Sequence, residues 1–204
     1  MSAEMNTKRI LATACICLGL AVGHDVALAV EAAGVPAEKQ TRSGLYLDAR
    51  QAYEFLKEAG GRAYFVDVRT RAEVSFLGMP APADANIPYV DLAEDASWDD
   101  RNGRFKLEAN SDFGLELARR LAAKGLSKSD PIVLICRSGD RSARAANLLQ
   151  ELGYQRVYSV VDGFEGDLAK EGSKAGQRLV NGWKNAGLPW SYDLDKSKMY
   201  FPRY

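Results

Sequence analysis

The sequence is poor in the two residue types most used for nucleophilic and metal chemistry. Its 204 residues include three Cys and one His. Three Cys cannot build a disulfide framework, and one His cannot build a zinc site with several His ligands. Net charge is absent as well, since 27 Lys+Arg balance 27 Asp+Glu. No chain-wide field draws nucleic acid or an anionic membrane surface. A helix needs roughly 20 apolar residues to span a bilayer, and the apolar run from Ile10 to Val22 has only 13. The rest is ordinary for a globular chain, with 47% hydrophobic and 26% charged residues. The length suits one domain with extensions, whose core needs no disulfide or metal staple.

Residues 1–29 have the three parts of a secretory signal peptide. Lys8 and Arg9 form the basic start, residues 10–22 the apolar stretch, and Ala27-Leu28-Ala29 the small-x-small cleavage signature. Gly23, His24 and Asp25 end the apolar run early, which argues against an uncleaved anchor or a buried helix. A lipoprotein signal would place Leu three residues before its Cys, but Ala12 precedes Cys15 and Ala14 precedes Cys17. The expectation is an exported, periplasmic protein with no stable membrane anchor. Cleavage after Ala29 would leave one Cys, Cys136, and no His. Cys–His and Ser–His–Asp catalysis are then excluded. A lone Cys in an oxidising space is either buried and inert or chemically used.

In the remaining chain, residues 30–44 read as a flexible leader. Asp48 and Gln51 can form a capping box for a helix through Ala52, Tyr53, Phe55, Leu56 and Ala59, stopped by Gly60-Gly61. Residues 63–68 are a buried strand, and Thr70 to Glu73 a turn into a short helix. Residues 78–88, rich in Pro and Ala, should be loop, and the polar stretch 91–112 an inserted surface excursion. The charges from Glu94 to Lys106 read as a solvated surface. Residues 113–124 follow as a helix, 131–135 as a strand, 142–152 as a helix, 157–161 as a strand and 163–170 as a short helix. Strands alternating with helices predict an α/β fold, a mainly parallel central sheet with helices on both faces. The tail at 191–204 carries no clear pattern.

The chemistry concentrates in Ile132-Val-Leu-Ile-Cys136-Arg137-Ser138-Gly139-Asp140-Arg141-Ser142. A buried strand ends in a thiol, a polar turn follows, and a helix begins. Ligands of open α/β sheets bind outside the carboxyl ends of the strands. Backbone N–H groups in such a turn form an anion nest, and the helix N-terminus adds partial positive charge. Arg137 and Arg141 add two full charges, and Gly139 lets the turn close tightly. A thiol held there is expected to be reactive near neutral pH. The bland alternative is a small buried hydrophobe at a strand end.

Cys136-Arg-Ser-Gly-Asp-Arg141-Ser142-Ala143 resembles the active-site loop of rhodanese-domain sulfurtransferases. Phe65-Val66-Asp67-Val68-Arg69, followed by Glu73, resembles the family's second-strand motif. Val160-Val161-Asp162-Gly163-Phe164 and the stretch from Gly182-Trp183 to Gly187-Leu188-Pro189-Trp190 resemble its C-terminal landmarks. The resemblance covers residues 45–190 and implies a rhodanese-like fold. It implies Cys136 as the catalytic thiol, residues Arg137, Ser138, Gly139, Asp140, Arg141 and Ser142 as the substrate-binding loop, and Asp67 and Arg69 as supports. It implies no metal and no organic cofactor. The implied partners are a small sulfur-containing anion, a thiol acceptor, or a redox or sulfur-relay protein. A tyrosine-phosphatase-type loop would carry its Arg at position 142, where Ser142 stands; the shorter spacing to Arg141 fits a sulfur atom better than a phosphate. The family's Gly-His-Ile-Pro-Gly-Ala motif is replaced by Gly78-Met79-Pro80 up to Asn86-Ile87-Pro88, without the His. Trp183, Phe164 and Trp190 are expected in core packing rather than on the rim of a pocket. The competing function is a non-enzymatic persulfide carrier or a partner-binding module. A thiol redox sensor would need a second Cys to resolve the oxidised one.

Overall fold

A computed structural model describes residues 30–202. The signal-peptide expectation, with Cys15, Cys17 and His24, lies outside the described residues. Four aliphatic residues in a row, Ile132–Ile135 (β9), cannot alternate with polar ones, so this strand must be covered on both faces. It sits at the centre of a five-stranded parallel sheet. Its neighbours are Tyr64–Asp67 (β2) on one side and Val157–Val160 (β10) on the other. Tyr46–Leu47 (β1) and Ala85–Asn86 (β4) form the two edges. The order is β1-β10-β9-β2-β4. Because successive side chains of a strand point to opposite faces, Ile132, Leu134 and Cys136 face one layer while Val133 and Ile135 face the other.

The first layer holds the helices Phe113–Ala123 (α3) and Asp140–Glu151 (α4), through Phe113, Leu117, Leu121, Ala145, Ala146 and Leu149. Small residues along α4 let it lie close to the sheet. The second layer holds Ala49–Ala59 (α1) and the buried residues Phe164, Trp183 and Leu188. The capping box at α1 forms both ways: Asp48 accepts from Gln51 N–H at 2.8 Å, and the Gln51 side chain accepts from Asp48 N–H at 2.9 Å. Thr70 and Glu73 form a second box at the start of the short helix Arg71–Leu77 (α2).

Several expectations change. The proline-rich loop at 78–88 contains β4 and a two-residue strand, Met79–Pro80 (β3). The excursion is a two-tier hairpin. Val90–Leu92 (β5) pairs with Leu107–Ala109 (β8), and Trp98–Asp99 (β6) pairs with Arg104–Phe105 (β7) at its tip. Strand β1 was not foreseen, because two residues are too few to show a period. Helix α4 starts at Asp140, two residues before the expected start at 142. Residues 163–170 form turns and no helix. The reason is tertiary: the N–H groups of Phe164, Glu165 and Gly166 donate to the carbonyls of Cys136 and Arg137, not to carbonyls one turn back. The tail packs. Trp190–Ser191 (β11) pairs with β3, Met199 bridges to Asn86, and Tyr200 is buried against Asp112.

The leader is not loose either. Val35, Lys39 and Thr41 are buried. Lys39 Nζ pairs with Asp167 at 2.7 Å, and Thr41 N–H donates to the Tyr46 hydroxyl at 2.7 Å. Enough apolar surface and enough partners are present to offset the entropy of ordering the segment. Deleting residues 30–44 should therefore cost about 2–3 kcal/mol, or roughly 5–10 °C in Tm. Thermal denaturation against the chain beginning at Val30 checks this; an unchanged midpoint would mean the segment adds nothing.

Candidate functional site

Strand β9 delivers Cys136 to the carboxyl edge of the sheet, and the chain turns at once into α4. Gly139 is the hinge, at φ +100. A Cβ there would lie 2.1 Å from the Val161 carbonyl oxygen, so only glycine allows this approach. The turn brings Gly139 N–H to 3.1 Å from Cys136 Sγ. The buried Ser142 Oγ lies 3.5 Å from the same sulfur, donates to the Gly139 carbonyl at 3.0 Å, and is 2.9 Å from Ser159 Oγ on β10. Helix α4 begins beside the sulfur, where first-turn amides have no intrahelical partner.

A second turn, after β10, holds the loop from behind. Gly163, at φ +64, has no room for a side chain: a Cβ would be 2.6 Å from the Arg137 carbonyl. Phe164 N–H then donates to the Cys136 carbonyl at 2.8 Å. The ring of Phe164 lies 3.9 Å from the Arg69 guanidinium, a cation–π contact. Arg69 is fully buried. It donates through Nη2 to Asp67 at 2.5 Å and to the Gly78 carbonyl at 2.7 Å. Asn86 adds Nδ2 bonds to the carbonyls of Asp67 and Arg69 at 2.9 and 2.8 Å. Asp67 and Arg69 thus reach the loop at second hand, through Phe164.

The sulfur faces a pocket of about 150 Å³ lined by Val90, Arg104, Leu107, Cys136, Arg137, Ser138, Asp140, Arg141 and Arg144. Sites for drug-sized ligands run to roughly 300–1,000 Å³, so this one suits a small ion. Four arginines and one carboxylate set its sign. Arg141 does not present a free charge: both of its terminal nitrogens donate to Glu73, each at 2.6 Å. Burial opposes the ionisation of Glu73, but the Arg141 fork and the Thr70 N–H outweigh it and hold its carboxyl at about 2. Asp140 is held by Arg144 at 2.6 Å, one helical turn on. Arg137 is half-buried, its Nε has no hydrogen-bond partner among the described residues, and burial followed by the charges of Arg178 and Arg141 disfavours its cationic form.

Of the loop residues, Cys136, Arg137, Ser138, Asp140 and Arg141 line the pocket, while Gly139 and Ser142 contact the sulfur. Trp183 and Phe164 are buried in the core, and Trp190 packs on Phe164. The charged stretch 94–106 is not only solvated surface, because Arg104 reaches the pocket. Sequence reasoning also missed Ser159, Arg144, Val90 and Leu107. A signal existed for two of them. Ser159 stands two residues from Val157, on the strand face turned toward α4, and Arg144 lies four residues from Asp140 on one helix.

Asp162, in the second turn, is buried, and among the described residues one of its oxygens has no hydrogen-bond partner. Burial raises its pKa to about 6, against the pull of the Gly182 N–H at 3.0 Å. A carboxyl raised in the folded state contributes most stability below its unfolded pKa and loses it as pH rises through about 6. Near pH 7 the cost is about 3 kcal/mol. Asp162→Asn, neutral and still an acceptor, should be more stable than the parent at pH 7.5 and equal to it at pH 4. Urea midpoints at the two pH values check this, and a variant weaker at both would contradict it.

Similarity to known proteins agrees with this geometry. An uncharacterised protein of Rickettsia conorii is 31% identical over 142 residues, which is 70% of this chain and 93% of that protein. The thiosulfate sulfurtransferase GlpE of Tolumonas auensis is 42% identical over a shorter stretch of 41 residues, 20% of this chain and 39% of that one. The crystal structure of Rv0390 from M. tuberculosis superposes with a TM-score of 0.55 at 32% identity, over 72% of this chain and 97% of that one. Residues 37–170, which carry the parallel sheet and the thiol loop, match the rhodanese-like domain family, and the chain belongs to it.

Proposed function

We propose that the protein is a sulfurtransferase that carries sulfane sulfur as a persulfide on Cys136. One observation carries the reading: the Gly139 N–H 3.1 Å from Cys136 Sγ, at the wall of an arginine-lined pocket of small-ion size. The Cys136 thiolate attacks the outer sulfur of thiosulfate or of a persulfide donor. The donor's S–S bond breaks, and sulfite or a thiolate leaves with the bonding electron pair. A cyanide or thiolate acceptor then attacks the outer sulfur, and Cys136 leaves as thiolate. Arg137 draws the anion in. The amides of the loop and of the first turn of α4 stabilise charge on the outer sulfur. Glu73 keeps Arg141, and with it the end of the loop, in place. The reaction asks for no metal or organic cofactor.

The similarity to a protein named as a thiosulfate sulfurtransferase supports this reading, as does the family. The leader pattern of residues 1–29 supports export to the periplasm, where the acceptor would be a small thiol or a redox or sulfur-relay protein. Steady-state thiocyanate formation from thiosulfate and cyanide tests the proposal. The wild-type protein should turn over many times, and Cys136→Ala should lose at least about 10³-fold of the rate. Turnover that survives in Cys136→Ala would refute a Cys136 persulfide. One stoichiometric loading without turnover would make the protein a carrier and not an enzyme.

A further inference from the structure

The inserted hairpin changes the charge accounting of the pocket. Of the four guanidiniums that line it, two are committed: Arg141 to Glu73, and Arg144 to Asp140. Arg137 comes from the loop itself. Arg104 comes from a different wall, carried on β7 at the tip of the hairpin. Among the described residues Arg104 makes no salt bridge. Asp99 stands directly across the ladder from it and acts on it through charge, while the Asp99 carboxylate takes its hydrogen bond from Asn102 Nδ2 at 2.6 Å. The pocket therefore presents two guanidiniums that form no ion pair among the described residues, one from the loop and one from the insertion.

The hairpin also has the means to hold Arg104 in position. Trp98 and Phe105 stack edge to face with centroids 5.3 Å apart. Lys106 N–H donates to the Ser97 carbonyl at 2.9 Å, and Ala93 N–H to the Lys106 carbonyl at 3.0 Å. At its base the hairpin is tied to α2 by the Arg71–Asp91 ion pair. Val90 and Leu107, from the same hairpin, add an apolar border beside Arg104. Guanidinium forks match oxyanions in geometry as well as charge.

We infer that Arg104 is a specificity-determining residue that, with Arg137, clamps the oxyanion end of a doubly charged sulfur donor over Cys136. The inference rests on the sulfurtransferase reading for its donor, but its test needs no sulfur transfer. The charge of Arg104 enters the pocket from outside the common loop, so the insertion sets the preference for a dianion.

Equilibrium binding of thiosulfate to the Cys136→Ala protein, measured by calorimetry, decides it. This protein binds without reacting. Adding Arg104→Ala should weaken binding about tenfold, and Arg104→Lys should lose less. Arg101→Ala, on the same hairpin turn but off the pocket, should leave binding unchanged. Arg104 is exposed, so its variants should keep the parent's Tm. Equal affinity in the Arg104→Ala and parent proteins would overturn the inference. So would an equal loss in Arg101→Ala, which would mean a diffuse field and not a clamp. Neither result bears on whether Cys136 accepts sulfur, which the turnover assay reads separately.

Discussion

Two strand-end turns interlock, and the site depends on how closely they meet. Gly139 of the thiol loop lies against the Val161 carbonyl, and Gly163 of the following turn lies against the Arg137 carbonyl. Each contact is too close for a Cβ, so the two turns set each other's shape. The consequence at the sulfur is direct. Cys136 and Arg137 give their carbonyls to the second turn, and the Gly139 N–H of the loop turns inward to the thiol. The bracing then spreads to β2 through Phe164, Arg69 and Asp67, and to β4 through Asn86. Four of the five parallel strands thus end in one connected set of contacts.

Charge is arranged on the same plan. A pocket with four arginines would be costly if all were free, since like charges in a confined space repel. Glu73 and Asp140 each neutralise one. The remaining two, Arg137 and Arg104, line the pocket from separate elements. Glu73 therefore does structural work: its carboxylate both closes the capping box of α2 and fixes Arg141 at the start of α4. Two helices and the thiol loop are coupled through one side chain.

Much of this was legible in the residues. The strand Ile132–Ile135, the capping box at Asp48, the turn from Thr70 into a short helix, and the turn from Cys136 into α4 all depend on local order in the chain, and all form. What escaped depends on contacts between distant segments. The expected helix at 163–170 is absent because its donors go to Cys136 and Arg137. The leader packs because Lys39 meets Asp167, 128 residues away. The polar hairpin matters because Arg104 reaches a pocket whose other wall begins at Cys136. No period or propensity in a short window reports such pairings. Arg141 shows the same limit: its position was clear, but its commitment to Glu73 required the fold.

On the proposed reading, Cys136 takes a sulfur atom while the loop around it stays closed. Intact mass of the purified protein, before and after incubation with thiosulfate and removal of excess donor, tests it most directly. The mass should rise by one sulfur atom per chain, mapped to Cys136 and released by cyanide. A mass that does not change, or an adduct that Cys136→Ala also acquires, would contradict it.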